Sequence, residues 1–478
     1  MSKFSILHIS DIHKIAGVEY EPLFQSLRRD LEAMTTYERI VAPSFVVVSG
    51  DLIQGGYTEQ DIREQYNEVE SFLAAISDLY LQGDRTRLII VPGNHDVSRV
   101  ATIASLHPST KDYEISKDTY FKGATDIRWN WKDHQFYEIT DAEIYRQRFN
   151  LFVEFYNHFF DGIRQYPENP EEQAYVVVND DYGICFACFN SCCHLDHLCD
   201  TGCISDDALN SISKDLTDSY NAGYLNVAVW HHHFYGSPLE TNYMDRAFLT
   251  DLLSCNIQMG LFGHQHFTQI AEEYSDLLLR KDEYVQKLLL VSSGTLFGGK
   301  KVLPENCRRQ YNIIEVAKGN GIAQIDINIR EDFNTIANNK IPHWKMKPLP
   351  NATNKVHYGI ALRELSVNDR VLNIDRRCKA DGDYIKACEA IKSIEIETGE
   401  DLSQIFKSYL KEIRDYEYVY HHIGRIVTVE DAILKIVAAR NLGNPKYIKD
   451  VLEDPDINML DDAFVKSQLL TLKRTVER

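Results

Sequence analysis

The residues with chemistry to offer come in short groups: Asp11 with His13, Asp51, Asn94-His95-Asp96, His231-His232-His233, and His264 with His266. Carboxylates, imidazoles and an amide oxygen, with no thiolate among them, suit Mn, Fe, Zn or Co better than Mg or Ca. Asp11, His13, Asp51, Asn94, His231, His264 and His266 offer enough donors for two divalent ions, each with an open position. Two ions about 3.5–4 Å apart can clamp a phosphoryl group and bring the pKa of a shared water toward neutrality. A carboxylate from one of these groups is the natural bridge.

Each group directly follows a run that reads as a buried strand. Phe4–Ile9 precedes Asp11, Ser44–Ser49 precedes Asp51, Leu88–Val91 precedes Asn94, Leu225–Trp230 precedes His231, and Ile257–Phe262 precedes His264. Pro92 and Gly93 turn the chain sharply after the third run. Helical patterns over Pro22–Arg39 and Thr58–Leu81 separate the first three strands. That alternation predicts parallel pairing through right-handed crossovers. Ligands bind at the C-terminal edge of such a sheet.

The series Asp-Xaa-His, Gly-Asp, Gly-Asn-His-Asp, a His run after a strand, and Gly-His-Xaa-His resembles the calcineurin-like metallophosphoesterase superfamily over about residues 3–330. The resemblance implies a four-layer αββα sandwich of two mixed sheets flanked by helices. It implies one metal on Asp11, His13 and His266, a second on Asn94, His231 and His264, and Asp51 bridging them. It implies a metal-bridging hydroxide as nucleophile and His95 as the acid that protonates the leaving oxygen, with Asp96 orienting it. An imidazole titrates near neutrality and suits that task. Of the three consecutive histidines, His231 stands directly after the strand and is the expected ligand. His232 is the alternative, or a substrate contact, and Arg99 is a second candidate for touching the substrate phosphate. Where the family often has Pro after its His pair, Phe234-Tyr235 follows here.

The Ser/Thr protein phosphatases of this superfamily carry an Arg after the bridging Asp and another directly before Gly-Asn-His. Here the stretches are Gly50-Asp51-Leu52-Ile53-Gln54-Gly55 and Val91-Pro92-Gly93, with neither Arg. This points to a diester, whose lower charge needs fewer cationic clamps. The Asp-Leu-Xaa-Xaa-Gly pattern resembles the cyclic-nucleotide phosphodiesterase branch, while DNA-processing nucleases share the metal set. The expected activity is therefore a phosphodiesterase, Mn favoured, acting on a nucleotide or nucleic acid. The alternative is a nuclease subunit or effector working in a complex.

A net charge of −20 argues against broad, salt-driven nucleic-acid binding. No run approaches 18 apolar residues, and the N-terminus enters a strand with no signal-peptide layout, so a cytoplasmic protein is expected. A length of 478 residues predicts two or three domains. The expected division is a catalytic domain over 1–333 with an insertion or cap at 97–173, a proline-marked linker at 334–352, and a helical domain over 353–478. That last domain is the candidate surface for a partner or for self-association.

Within the first domain, a helix is expected from Ala142 to Phe160, and further strands at Ala174–Val178, Gly183–Phe189, Leu288–Ser292, Tyr311–Val316 and Ile322–Ile329. Six of the ten cysteines fall between Cys185 and Cys203. Cys185 and Cys188 lie inside a strand, where alternation sends them to opposite faces, so they read as buried apolar residues. Cys192, Cys193, Cys199 and Cys203, with His194 and His197, leave a further zinc site open. Trp230 and Tyr235 read as packing residues rather than base-stacking platforms.

Overall fold

The computed structural model describes residues 2–111, 113, 125–234, 241–274, 287–297, 303–304, 307–319, 321–334, 341–349 and 355–476. The chain starts as β1 (Ser2–Ile9), α1 (Glu21–Thr36), β2 (Phe45–Ser49), α2 (Glu59–Leu81) and β3 (Leu88–Val91). The three strands pair in parallel, as their alternation with helices predicts. Thr58 caps α2 by accepting the Asp61 N–H at 3.2 Å.

The 97–173 stretch holds a helix (Arg99–Ser105) and a small sheet of β4 (Leu106–Pro108), β5 (Ile127–Asn130) and β6 (Gln135–Ile139). The single helix expected over 142–160 is two, Ala142–Arg146 and Asn150–Phe159, split by a 3-10 turn at Gln147–Phe149. The second of these does not cap the site. It packs on α2, with Phe155 stacked on Tyr66 at 5.0 Å.

A second sheet follows from β7 (Ala174–Asn179), β8 (Ile184–Phe189), β9 (Leu225–Val229), β10 (Met259–Phe262), β11 (Ile270–Tyr274) and β12 (Lys287–Ser292). Its order is β11-β12-β10-β9-β8-β7, with antiparallel edges around a parallel centre. The chain then returns to the first sheet as β13 (Gln310–Gly319), β14 (Ile322–Asp332), β15 (Trp344–Met346) and β16 (Val356–Ala361).

Period-two alternation builds the layers. Phe4, Ile6, Phe45, Val47, Ile89 and Val91 meet Ile184, Phe186, Leu225, Val227, Met259 and Leu261 in one core between the sheets. The opposite faces bury Leu7, Ile9, Val46 and Val48 against α1 and α2, and Ala187, Trp230 and Leu290 against the helices Asp206–Asn221 and Ala247–Ser254. This is the αββα sandwich. Cys188 sits in the central core and Cys185 in the outer one, each among apolar side chains. Trp230 is a packing residue, stacked on Phe262 at 5.1 Å; Tyr235 lies outside the described residues.

The linker expected at 334–352 is not one over its described part. Trp344–Met346 pairs with β14, and Trp344 is buried edge-on against Tyr311 at 5.0 Å with its Nε1–H donated to Ser26 Oγ at 2.9 Å. Next along the same strand, β16 also pairs with β14. The first compact unit therefore runs Met1–Glu364 and the second Leu365–Arg478. Prolines are tolerated at a sheet edge, where one side of the strand needs no ladder, and three-residue strands are too short to show a period.

The second unit is helical, packed around Cys388, Ile391, Leu410, Ile436, Val451 and Leu472. It includes two helices not expected from the sequence, Val367–Asp381 and Tyr416–His422. Among the described residues no helix is long and apolar enough to cross a membrane.

Candidate metal centre

The C-terminal ends of β1, β2, β3, β9 and β10 bring seven side chains to one place. His13 Nε2 and His266 Nε2 approach to 3.0 Å, and Asp11 Oδ1 lies 3.3 Å from the second and 3.8 Å from the first. Asp51 Oδ2 stands 3.7 Å from His13 Nε2. On the other side, Asn94 Oδ1 lies 2.9 Å from His231 Nε2 and 3.0 Å from His264 Nδ1, which are 3.3 Å from each other. Asp51 Oδ1 is 3.4 Å from His231 Nε2. The two oxygens of one carboxylate thus face two separate donor groups.

The backbone is bent to achieve this. Asp11, His13, Asp51, His264 and His266 all have positive φ, between 46° and 76°. Such left-handed residues cost on the order of 1–3 kcal/mol each and concentrate where side chains are aimed for function. The turns also pass very close together. A Cβ on Gly263 would lie 1.9 Å from Ser10 Oγ, and one on Gly93 would lie 2.2 Å from Asp51 N.

The electrostatics call for a cation. Asp11 and Asp51 are fully buried, and among the described residues neither pairs with a Lys or Arg. Backbone N–H groups help: His264 N donates to Asp11 Oδ2 at 3.1 Å and His95 N to Asp51 Oδ1 at 2.8 Å. Among the described residues, Asp11 Oδ1 faces the imidazoles of His266 and His13 rather than a fixed cation. Burial opposes the charge on Asp51, yet His231 and His95 hold it well below the usual carboxylate range. Burial likewise opposes protonation of His231, but Asp51 outweighs it and pushes His231 up to about 9. Burial, against Asp51 and Asp11, brings His13 down to about 4. Burial with His231 nearby brings His264 down to about 3. Buried carboxylates, with His13 and His264 held neutral and a cation able to take the place of the proton on His231, fit two divalent ions held by Asp11, His13 and His266, by Asn94, His231 and His264, and by Asp51 between them.

The supporting contacts fix ring orientation. His231 Nδ1–H donates to the Ser49 carbonyl at 2.8 Å, turning Nε2 inward. His95 Nδ1–H donates to the Gln54 carbonyl at 2.7 Å, and its Nε2 stands 4.0 Å from Asp51 Oδ2.

Two expected roles need correction. Asp96 does not touch the His95 ring. Its Oδ2 accepts the Gly93 and Leu52 N–H groups at 2.8 and 3.2 Å and its Oδ1 the Tyr66 hydroxyl at 3.0 Å, so it braces the turns on either side. Burial, with Asp51 adding to it, pushes Asp96 up to about 7. Adjacent residues in a 3-10 turn point apart, and these N–H donors claim the carboxylate. His232 is fully buried behind the site, its Nδ1 2.9 Å from Ser191 Oγ, and has no surface for a substrate.

Arg99 stands where a substrate contact was expected. It lines a cavity of about 310 Å³ with Asn94, His264, Thr102, His197, Asp200 and Asn242. Of the expected cap, Val97, Arg99 and Thr102 are the described residues that reach this cavity. Tyr66, Ser191 and Asn242 were not singled out in the sequence. Tyr66 reads as an ordinary core position of α2, and Asn242 carries no motif.

A family model described as calcineurin-like phosphoesterase matches residues 4–267. Among solved structures, a dimetal phosphatase from Danio rerio is similar at 11% identity, covering 75% of this chain and 99% of its own, with a TM-score of 0.36. The calcineurin-like phosphoesterase YfkN from Bacillus subtilis is similar at 11% identity, covering 80% of this chain and 99% of its own, with a TM-score of 0.30. No curated protein matches the sequence.

Proposed function

Because this chain belongs to the calcineurin-like phosphoesterase family, and so is a metal-dependent phosphoester hydrolase, we propose that its substrate is a phosphodiester, in a small nucleotide before a nucleic acid. The observation that carries the reading is the division of donors on either side of Asp51, beside a cavity whose one arginine among the described residues is Arg99. A monoester carries up to two negative charges, and holding it calls for more fixed cations than the described residues of this cavity offer. Asp200 lines the same wall, and Asp196 there is already paired with Arg128 at 2.8 Å. A volume of about 310 Å³ sits at the small end of ligand sites, and the net charge of −20 disfavours a long polyanion.

Two divalent ions, Mn favoured, would supply positive charge to the phosphoryl oxygens and acidify water at neutral pH. The chain's own residues do the rest. Asp51 holds the two donor groups in register. His95, fixed through Nδ1 to Gln54 O, presents Nε2 to the leaving oxygen and protonates it. Asp96 is a positioning residue, bracing the turn that carries Asn94 and His95. Arg99 meets a phosphate oxygen.

Mn-loaded protein is to be assayed on bis-p-nitrophenyl phosphate, p-nitrophenyl phosphate, cyclic nucleotides and linear DNA, with Asp51→Asn as control. Diesters should be hydrolysed well ahead of the monoester, and small diesters ahead of DNA. Faster monoester turnover would overturn the diester reading, and an unaffected Asp51→Asn would overturn the site.

A further inference from the structure

We propose that the chain holds a third metal ion, a structural Zn²⁺, on Cys193, His194, Cys203 and Glu171, apart from the centre described above. One ligand atom from each of Cys193, His194 and Cys203 lies within 4.8 Å of the others. Glu171 Oε2 stands 3.4 Å from His194 Nε2. In a tetrahedral zinc site with Zn–N and Zn–O bonds of about 2.0–2.1 Å, neighbouring N and O ligands are about 3.3 Å apart. The imidazole and the carboxylate are therefore already at ligand spacing. Two sulfurs, one nitrogen and one oxygen form a borderline-soft set that selects zinc over Mn, Mg or Ca. The dinuclear centre has no sulfur, so the two places differ in kind.

The topology gives this ion something to hold. The 190–204 segment leaves β8 and returns on itself, with Cys203 N–H donating to Ser191 O at 2.9 Å and Cys192 bridged in parallel to Cys203. Cys193 and His194 sit on the outgoing limb and Cys203 on the returning one. Glu171 comes from a separate turn, Pro170–Glu172, ahead of β7. An ion here would tie the neck of the loop to that turn. The loop is not remote from the chemistry. Ser191 Oγ accepts the His231 and His232 N–H groups at 3.1 and 3.2 Å, and Leu195, Asp196, His197 and Asp200 form one wall of the substrate cavity. A cavity of about 750 Å³, lined by His194, Glu171, Arg146 and Arg148 among others, leads to the cluster from outside and provides the entry path such a site needs.

A disulfide between Cys193 and Cys203 would account for the two sulfurs but not for the convergence of His194 upon them, with the Glu171 carboxylate beside that imidazole. Cys185 and Cys188 supply the contrast, since they lie in separate apolar cores with no such companions.

Full-length protein purified without added metal is to be analysed for zinc per chain, alongside Cys193→Ser, Cys203→Ser, Asp51→Asn and Cys185→Ser. Zinc X-ray absorption on the unaltered protein reads the ligands directly. The expected result is a zinc–sulfur shell at about 2.3 Å, retained in Asp51→Asn and Cys185→Ser and lost in both ligand variants. Should those variants fail to fold, alkylation of the unaltered protein decides. Cys193 and Cys203 should resist iodoacetamide until a chelator is added, then become modified. No zinc–sulfur shell, zinc unchanged in both Cys variants, equal alkylation with and without chelator, or a Cys193–Cys203 disulfide found by peptide mapping would each overturn the proposal.

Discussion

Gly93→Ala tests how tightly the turns around Asp51 are set. Gly93 has φ −115° and ψ −175°, extended backbone that alanine adopts without strain. Only space forbids the substitution. The added methyl would stand 2.2 Å from both Asp51 N and Asp51 Oδ1, and 2.9 Å from its Cγ. Real Cβ contacts do not fall below 3.0 Å, so the β2 and β3 turns must part by at least about 0.8 Å. The nearest atom is backbone and cannot rotate away. A misplacement near 1 Å costs about 10²-fold in rate, or about 2.7 kcal/mol in the barrier. The assay is kcat/KM on bis-p-nitrophenyl phosphate at saturating Mn, with Mn per chain measured by titration and folding checked by circular dichroism. Gly359→Ala is the control, because its nearest neighbours would be 3.9 Å away, and it should stay within about twofold. A folded Gly93→Ala that binds both ions and keeps kcat/KM within about threefold of the unaltered protein would refute the reasoning.

Other perturbations read other parts of the molecule. His95→Gln should lower kcat by about 10²–10⁴-fold while leaving Mn stoichiometry unchanged; full activity would remove His95 from proton transfer. Arg330, fully buried, is paired with Asp30, with Nε 2.9 Å from Oδ2, and with Glu38 at 2.6 Å. Arg330→Met strands Asp30 and should cost about 3–5 kcal/mol in urea unfolding, with Asp30→Leu added restoring most of it; a loss below about 1 kcal/mol contradicts this. Burial brings Lys318 down to about 8, so between that value and the free-lysine value of about 10.4 the folded chain binds fewer protons than the unfolded one. Its contribution therefore raises stability as pH climbs through that window, and below it the cost is fully present. Lys318→Met should gain on the unaltered protein at pH 7 and lose that advantage toward pH 9.5, measured by urea midpoints; a pH-independent difference would sink the assignment.

The seven donors were legible because each sits within four residues past a buried strand, and the apolar runs mark those strands plainly. The left-handed backbone of five of them was not, since Asp and His carry no φ signature of the kind glycine does. Asp96 misled because a side chain's direction in a tight turn depends on which N–H groups need an acceptor, here those of Gly93 and Leu52. His231 was preferred to His232 because it directly follows the strand. Trp230 turns outward into the helix-side core, and the next residue turns in. The strand β15 escaped because a three-residue edge strand flanked by Pro342 and Pro348 looks like a connection. The helix Val367–Asp381 carries only a thin apolar stripe, Val367, Val371, Ile374 and Cys378, amid many charged residues; Ser366 and Asp369 form a capping box and Gly382 ends it in the left-handed region, which is the signal that marks its limits.

Each donor group takes members from both sheets. Asp11, His13, Asp51 and Asn94 leave the first, and His231, His264 and His266 leave the second. An ion bound to either group is therefore a rivet through the sandwich, and its binding energy enters the cohesion of the two halves. By mass action, each ion present at 100 times its dissociation constant adds about 2.7 kcal/mol to folding. The persistence of the folded chain then follows the supply of divalent metal, so scarcity would remove the protein from circulation as well as silence it.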